Sequence, residues 1–197
     1  MIERGQARER DMVIAFLQAE IFSSRYSEYI LGNLRYNQLS RTDLIDHPNL
    51  ENESENNIRR ELLKIYRGFG ANAYLFVGFP ADVAWRFVEI EPKDHHVLLF
   101  ANEDSWIEIS EGTRSVERAA GRIDRFERPD TANRVRAIQQ DITDGKSMAP
   151  LILVEGENGM LILVEGHSRA TAYVGLRWPR ITAVIGSSPT MHNWHYY

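Results

Sequence analysis

The chain has 197 residues, 43% of them hydrophobic and 26% charged, which is enough apolar material for a real core and argues against wholesale disorder. It contains no cysteine, so disulfides, thiolate zinc sites and cysteine nucleophiles are excluded. The formal net charge of −5 argues against a nucleic-acid partner, and no apolar run approaches the length needed to span a bilayer.

The first ten residues are charged and lack the apolar segment of a signal peptide, so a cytoplasmic protein is expected. Residues 7–22 read as a helix, with Met12, Ala15, Phe16 and Ala19 on one apolar face. Residues 24–34 read as a second helix, with Tyr26, Tyr29, Ile30 and Leu34 facing inward. Residues 47–57 are polar and suit an exposed loop, within which Ser54 is placed to cap a third helix reaching about Tyr66. Ile58, Leu62 and Ile65 would form its apolar face, and Gly68 and Gly70 would end it.

The character changes after residue 72. Residues 74–77 and 83–90 are short aromatic and β-branched runs, as strands prefer. In the second run Trp85, Phe87, Glu89 and Glu91 share one face by the period of two. A short helix near His96 and a strand over Trp106 to Ile109 are both compatible with the next stretch. Residues 115–126 read as helical, and Asp130 or Thr131 is expected to cap a helix running to Asp144 and closed by Gly145, with Val135, Ile138 and Ile142 buried. Residues 151–156 and 161–166 repeat the same apolar hexapeptide around Asn158-Gly159, the strongest short hairpin signal. Their uninterrupted apolar runs suit strands covered on both faces. A short helix after residue 169, a break at Trp178-Pro179 and a returning strand over Ile181 to Ile185 complete the pattern. The fold expected is α+β: residues 1–72 form a helical N-terminal extension, and residues 73–197 a domain with a mixed sheet.

Gly166-His167-Ser168-Arg169 then falls between a buried strand and a helix. The first N–H groups of a helix have no internal acceptor and carry partial positive charge, so such a turn suits an anion. Gly166 permits close approach of the backbone, Ser168 adds a hydroxyl, and Arg169 adds a planar fork of donors. His167 adds a donor or a proton-exchange group. A structural role accounts for the same residues: Gly166 makes the turn, Ser168 caps the helix and Arg169 pairs with Glu165. Both readings stay open on residue types alone.

From Asp130 to Gly186 the chain resembles the core of the ParB/sulfiredoxin-like superfamily. The resemblance rests on a helix, then Ala149-Pro150 and an apolar strand, then a second strand running into Gly166-His167-Ser168-Arg169, an Ala-rich helix at Ala170-Thr171-Ala172-Tyr173, and a final strand. It implies a nucleotide whose phosphates sit on Gly166, His167, Ser168 and Arg169, with Mg²⁺ as companion ion and with Glu165 and His167 as candidate catalytic groups. The Gly-His-x-Arg form looks most like the kinase-type branch, where Asp commonly stands at the position of Glu165. Sulfiredoxin chemistry needs a cysteine in this loop, and partition proteins continue into a helix-turn-helix, for which the residues after Gly186 leave no room.

Three other groupings carry a functional and a structural reading. Arg114, Arg118, Arg122 and Arg125 lie at helical spacing, either as an anion-binding stripe or, interleaved with acids, as a solvated face. Glu89 and Glu91 suit a general base or a Mg²⁺ site, or simply the wet face of an edge strand. His95-His96 and His192 with His195 invite a metal, but neither pair has a carboxylate at the usual spacing, and docking of the tail's Trp and Tyr rings on the sheet is the simpler expectation. Two functions follow. One is a nucleotide-dependent phosphotransferase or hydrolase. The other is a non-catalytic regulatory or interaction module whose N-terminal helices meet a protein partner. A carboxylate close to the loop would favour the enzyme.

Overall fold

A computed structural model describes residues 1–126 and 128–197. The architecture is α+β. A mixed sheet joins β1 (Ile2–Ala7), β2 (Ala84–Ile90), β3 (Leu98–Leu99), β4 (Leu151–Glu155), β5 (Leu161–Glu165) and β6 (Ile181–Ser187) in the order β1-β2-β6-β4-β5-β3. The helices are α1 (Glu9–Glu20), α2 (Ser27–Tyr36), α3 (Glu53–Arg67), α4 (Asp104–Ile109), α5 (Val116–Ala120), α6 (Pro129–Thr143) and α7 (His167–Gly175). Among the described residues no helix is long and apolar enough to cross a membrane.

The hairpin sits at the centre of the sheet as the repeated hexapeptide requires. β4 and β5 pair antiparallel, while β6 lies parallel to β4. At the turn Asn158 and Gly159 both have positive φ, and the Met160 N–H donates to the Glu157 carbonyl at 3.0 Å. That is the backbone that Asn-Gly tolerates best.

Alternation along these strands divides the core in two. Ile152, Val154, Ile162, Val164 and Val184 pack in one cluster with residues of α1, α2 and α3. Leu151, Leu153, Leu161, Leu163, Ala183 and Ile185 pack in another with α5, α6 and α7. Both faces of the central strands are therefore covered, and every residue of Leu151–Val154 is fully buried. Each such side chain contributes at most about 1.5–3 kcal/mol by leaving water.

Several local expectations are corrected. The N-terminal segment is not helical throughout, since β1 pairs antiparallel with β2 as an edge strand. The third helix is capped by Asn52, whose side chain accepts from the Glu55 N–H, and not by Ser54. Ile65 on that helix is exposed, while Leu63 is buried in its place. Tyr29 on α2 is likewise exposed. Residues 74–76 form a 3-10 turn rather than a strand, and Trp106 to Ile109 lie in α4. Their aromatic and β-branched composition suits burial in either element, and in α4 the Trp106 ring packs on Phe100. Neither Asp130 nor Thr131 caps α6; Pro129 starts it, with its fixed φ and missing N–H. The helix expected over 115–126 breaks at Gly121 into α5 and a 3-10 turn. The tail docks as expected: Trp194 is buried and its indole N–H donates to the Leu75 carbonyl at 2.7 Å.

Candidate functional site

β5 ends at Glu165, and the chain turns at Gly166 directly into α7. Gly166 has φ +99°, in the left-handed region. A Cβ there would lie 2.6 Å from Leu151 Cδ2 and 2.9 Å from Arg169 Nη2. Glycine thus allows both the turn and the laying of the Arg169 guanidinium over the backbone. Gly166→Ala should cost about 1–2 kcal/mol from backbone conformation alone, more with the displaced guanidinium, as read by chemical denaturation. An unchanged midpoint would show that the turn relaxes freely.

Gly166 is also the N-cap of α7 and brings no side-chain acceptor. The first internal bond runs from the Ala170 N–H to the Gly166 carbonyl. The N–H groups of His167, Ser168 and Arg169 therefore have no acceptor within the helix. Ser168 lies inside the first turn and is not the cap.

Arg169 is 9% exposed, and its Nε and Nη2 atoms have no hydrogen-bond partner among the described residues. Glu165 Oε1 lies 3.6 Å from Nη2, an ion pair beyond hydrogen-bond reach. Arg59 shows what a structural buried arginine looks like. It is 1% exposed and donates to the Leu44 and Asp43 carbonyls, to Asn56 Oδ1 and to Glu55 Oε2. Among the described residues five buried side-chain nitrogens lack a partner, and four of them belong to Arg67, His167 and Arg169. All three residues line one cleft of about 1460 Å³. Leaving such groups unpaired costs on the order of 1–3 kcal/mol for each, more where charged.

The N-terminal helices complete this cleft. Glu20, at the end of α1, and Arg67, at the end of α3, face the loop, with Arg67 Nε 3.4 Å from Glu20 Oε1. The Arg67 guanidinium also donates to the Tyr26 hydroxyl and lies over the Tyr26 ring. Glu20 is 4% exposed. Burial, and next the charge of Glu165, raise its carboxyl to about 7 against the opposing pull of Arg67 and Arg25. Its place at a helix C-terminus disfavours the anion further. His167 stacks on Phe100 and Trp106, with ring centroids 5.8 and 5.4 Å away. Burial first, then Arg67, Arg25 and Arg169, lower it to about 3, so at neutral pH it is an uncharged imidazole. Burial also lowers Arg169, opposed by Glu165, Tyr173 and Glu20.

Of the residues singled out in the sequence, Glu165, Gly166, His167, Ser168 and Arg169 all line the cleft. Glu89 and Glu91 do not. Glu89 pairs with Arg4 at 2.6 Å, and Glu91 with Lys93 at 2.8 Å. The arginine stripe is divided rather than continuous. Arg114 has positive φ and donates to the Phe100 and Tyr197 carbonyls, while Arg118 and Arg122 both pair with Glu111. His95 is buried, and burial lowers its pKa. Glu20 and Arg67 were not singled out. Their signal in the sequence is a charge at helical spacing from core positions, Glu20 four after Phe16 and Arg67 four after Leu63.

Comparison of the chain with family models, with curated proteins and with solved structures gives no match.

Proposed function

We propose that the cleft binds a phosphate-bearing ligand, in the first place a nucleotide, and that the chain acts on it by phosphoryl transfer or hydrolysis. The observation that carries this reading is the set of buried, unpartnered nitrogens on Arg67, His167 and Arg169 around the uncapped start of α7. A phosphoryl group offers several charged acceptor oxygens in one small volume, which suits buried guanidinium donors beside a helix N-terminus.

Two carboxylates beside the loop favour an enzyme over a passive module. Glu165 lies next to Arg169, and Glu20 has its pKa near 7, where a general base is most effective. In hydrolysis a water oxygen would bond to phosphorus as the leaving-group oxygen departs, with Glu20 or Glu165 taking the water's proton. His167, uncharged, would serve as a neutral hydrogen-bonding group. Positioning and charge neutralisation by the two arginines would supply most of the rate. Among the described residues no group of three or more His, Asp or Glu forms a metal site of its own. Mg²⁺ would therefore come with the phosphates and be held by their oxygens and one carboxylate.

The test is a melting-curve screen of nucleotides and inorganic phosphate, with and without Mg²⁺, followed by phosphate-release assays on any binder. A ligand at a hundred times its Kd should stabilise the fold by about 2.7 kcal/mol. No shift with any of these ligands would overturn the reading, and a shift without turnover would leave the regulatory function in its place.

A further inference from the structure

The same cleft is lined by two exposed aromatic rings, Tyr74 and Phe22, the latter with the Arg41 guanidinium 5.9 Å from its ring centroid on one face. Phe22 is 80% exposed and Tyr74 is 69% exposed. Phe22 follows Glu20 by two residues, so its Cα lies at most about 7.6 Å from that of Glu20. Tyr74 has φ +50°, a conformation that a bulky residue adopts at a cost. Its loop is pinned on both sides. The Asn72 side chain accepts the Gly78 N–H at 2.6 Å, the Leu75 carbonyl accepts the Trp194 indole, and Phe76 is buried in the core. The chain thus spends backbone strain to hold one aromatic ring outward while its neighbours anchor inward.

We propose that Phe22 and Tyr74 form the stacking subsite for the base of a nucleoside phosphate whose phosphates occupy the Arg67–Arg169 site. This rests on the phosphoryl reading of that site and extends it to the nucleoside end of the ligand. A base has a planar π-face whatever its edge, so exposed rings bind it with affinity but little sequence preference. The Cα limit between Phe22 and Glu20 is within the length of one nucleotide. Aromatic rings and buried cations lining one cleft suit the two ends of one molecule, of which a sugar phosphate or inorganic phosphate would engage only one.

The test compares inorganic phosphate, ribose 5-phosphate and the purine and pyrimidine ribonucleotides by calorimetric titration of the full chain. The variants are Phe22→Ala and Tyr74→Gly; both side chains are exposed, and glycine accepts the φ of position 74, so both should fold. At least one nucleotide should bind about tenfold or more tightly than ribose 5-phosphate, the increment expected of stacking. Either substitution should remove most of that increment and leave the affinity for inorganic phosphate unchanged. Nucleotides no tighter than ribose 5-phosphate, or an increment that survives both substitutions, would overturn the base subsite while leaving the phosphoryl site standing. Failure of every one of these ligands to bind the unaltered chain would overturn both.

Discussion

Arg169→Ala should weaken binding of a phosphate-bearing ligand by about tenfold to a hundredfold and leave the chain folded. A hydrogen bond to a charged partner is worth about 1.5–3 kcal/mol, and that range converts to this loss of affinity. The unaltered residue already bears the cost of burial, with Nε and Nη2 unpartnered. Removing it relieves that cost and deprives Glu165 of a neighbour at 3.6 Å. Glu165 keeps 21% of its side chain exposed, so water can compensate it, and the variant should remain folded. The opposite outcome belongs to an arginine that serves only to hold Glu165. The variant would then melt earlier and titrate with ligand as before. One melting curve and one titration of the same variant separate the two.

The hairpin and the loop were legible because their signals are local. Asn158-Gly159 fixes a turn between two apolar runs, and that turn sets the register of β4 and β5. The strand then has to end at Gly166, the residue whose Cβ would collide with Leu151. Glu20 and Arg67 were not legible as partners of this loop, because their meeting depends on how α1 and α3 cross the sheet. No spacing in the sequence encodes that. β1 was missed for a different reason. Its residues 3–6 are exposed and charged or polar, so it shows no alternation, and it is held by backbone pairing to β2 and by the Arg4–Glu89 pair. A strand over Trp106 to Ile109 was compatible with the sequence because bulk and β-branching report burial more faithfully than they report the element that achieves it.

The anion affinity of the chain should fall as pH rises through 7, and its stability should fall relative to that of Glu20→Gln as pH rises from 4.5 towards 7. Unfolded, Glu20 titrates at its ordinary 4.5; folded, it titrates at about 7. Below the lower value both states hold the proton and the group contributes nothing. Between the two values the folded state keeps a proton that the unfolded state has lost, so the contribution of Glu20 to stability declines with pH. His167, lowered to about 3 by burial, contributes the opposite slope below its ordinary 6.5, and comparison with the glutamine variant isolates Glu20. Above about 7 the folded chain carries a buried carboxylate, and at about 1.4 kcal/mol per unit of pKa the accumulated loss is about 3 kcal/mol. The glutamine variant cannot ionise there, so denaturation curves of the two proteins, measured from pH 4.5 to 8, should diverge by that amount. The same charge opposes a bound anion. Around Glu20 stand Arg25, Tyr26 and Arg67 from the N-terminal helices and Glu165, His167 and Arg169 from the loop. His167 at about 3 is neutral over the whole range, and Glu20 is the group raised to about 7. Sulfate is the suitable probe, because it keeps its charge where a phosphoryl group titrates. Its affinity should fall above pH 7 by at most about tenfold per pH unit, the limit for uptake of one proton, and stay flat in the glutamine variant. Parallel curves for the two proteins, in stability and in sulfate binding, would mean that Glu20 is already ionised at its place between Arg67 and Glu165 and takes no part in either.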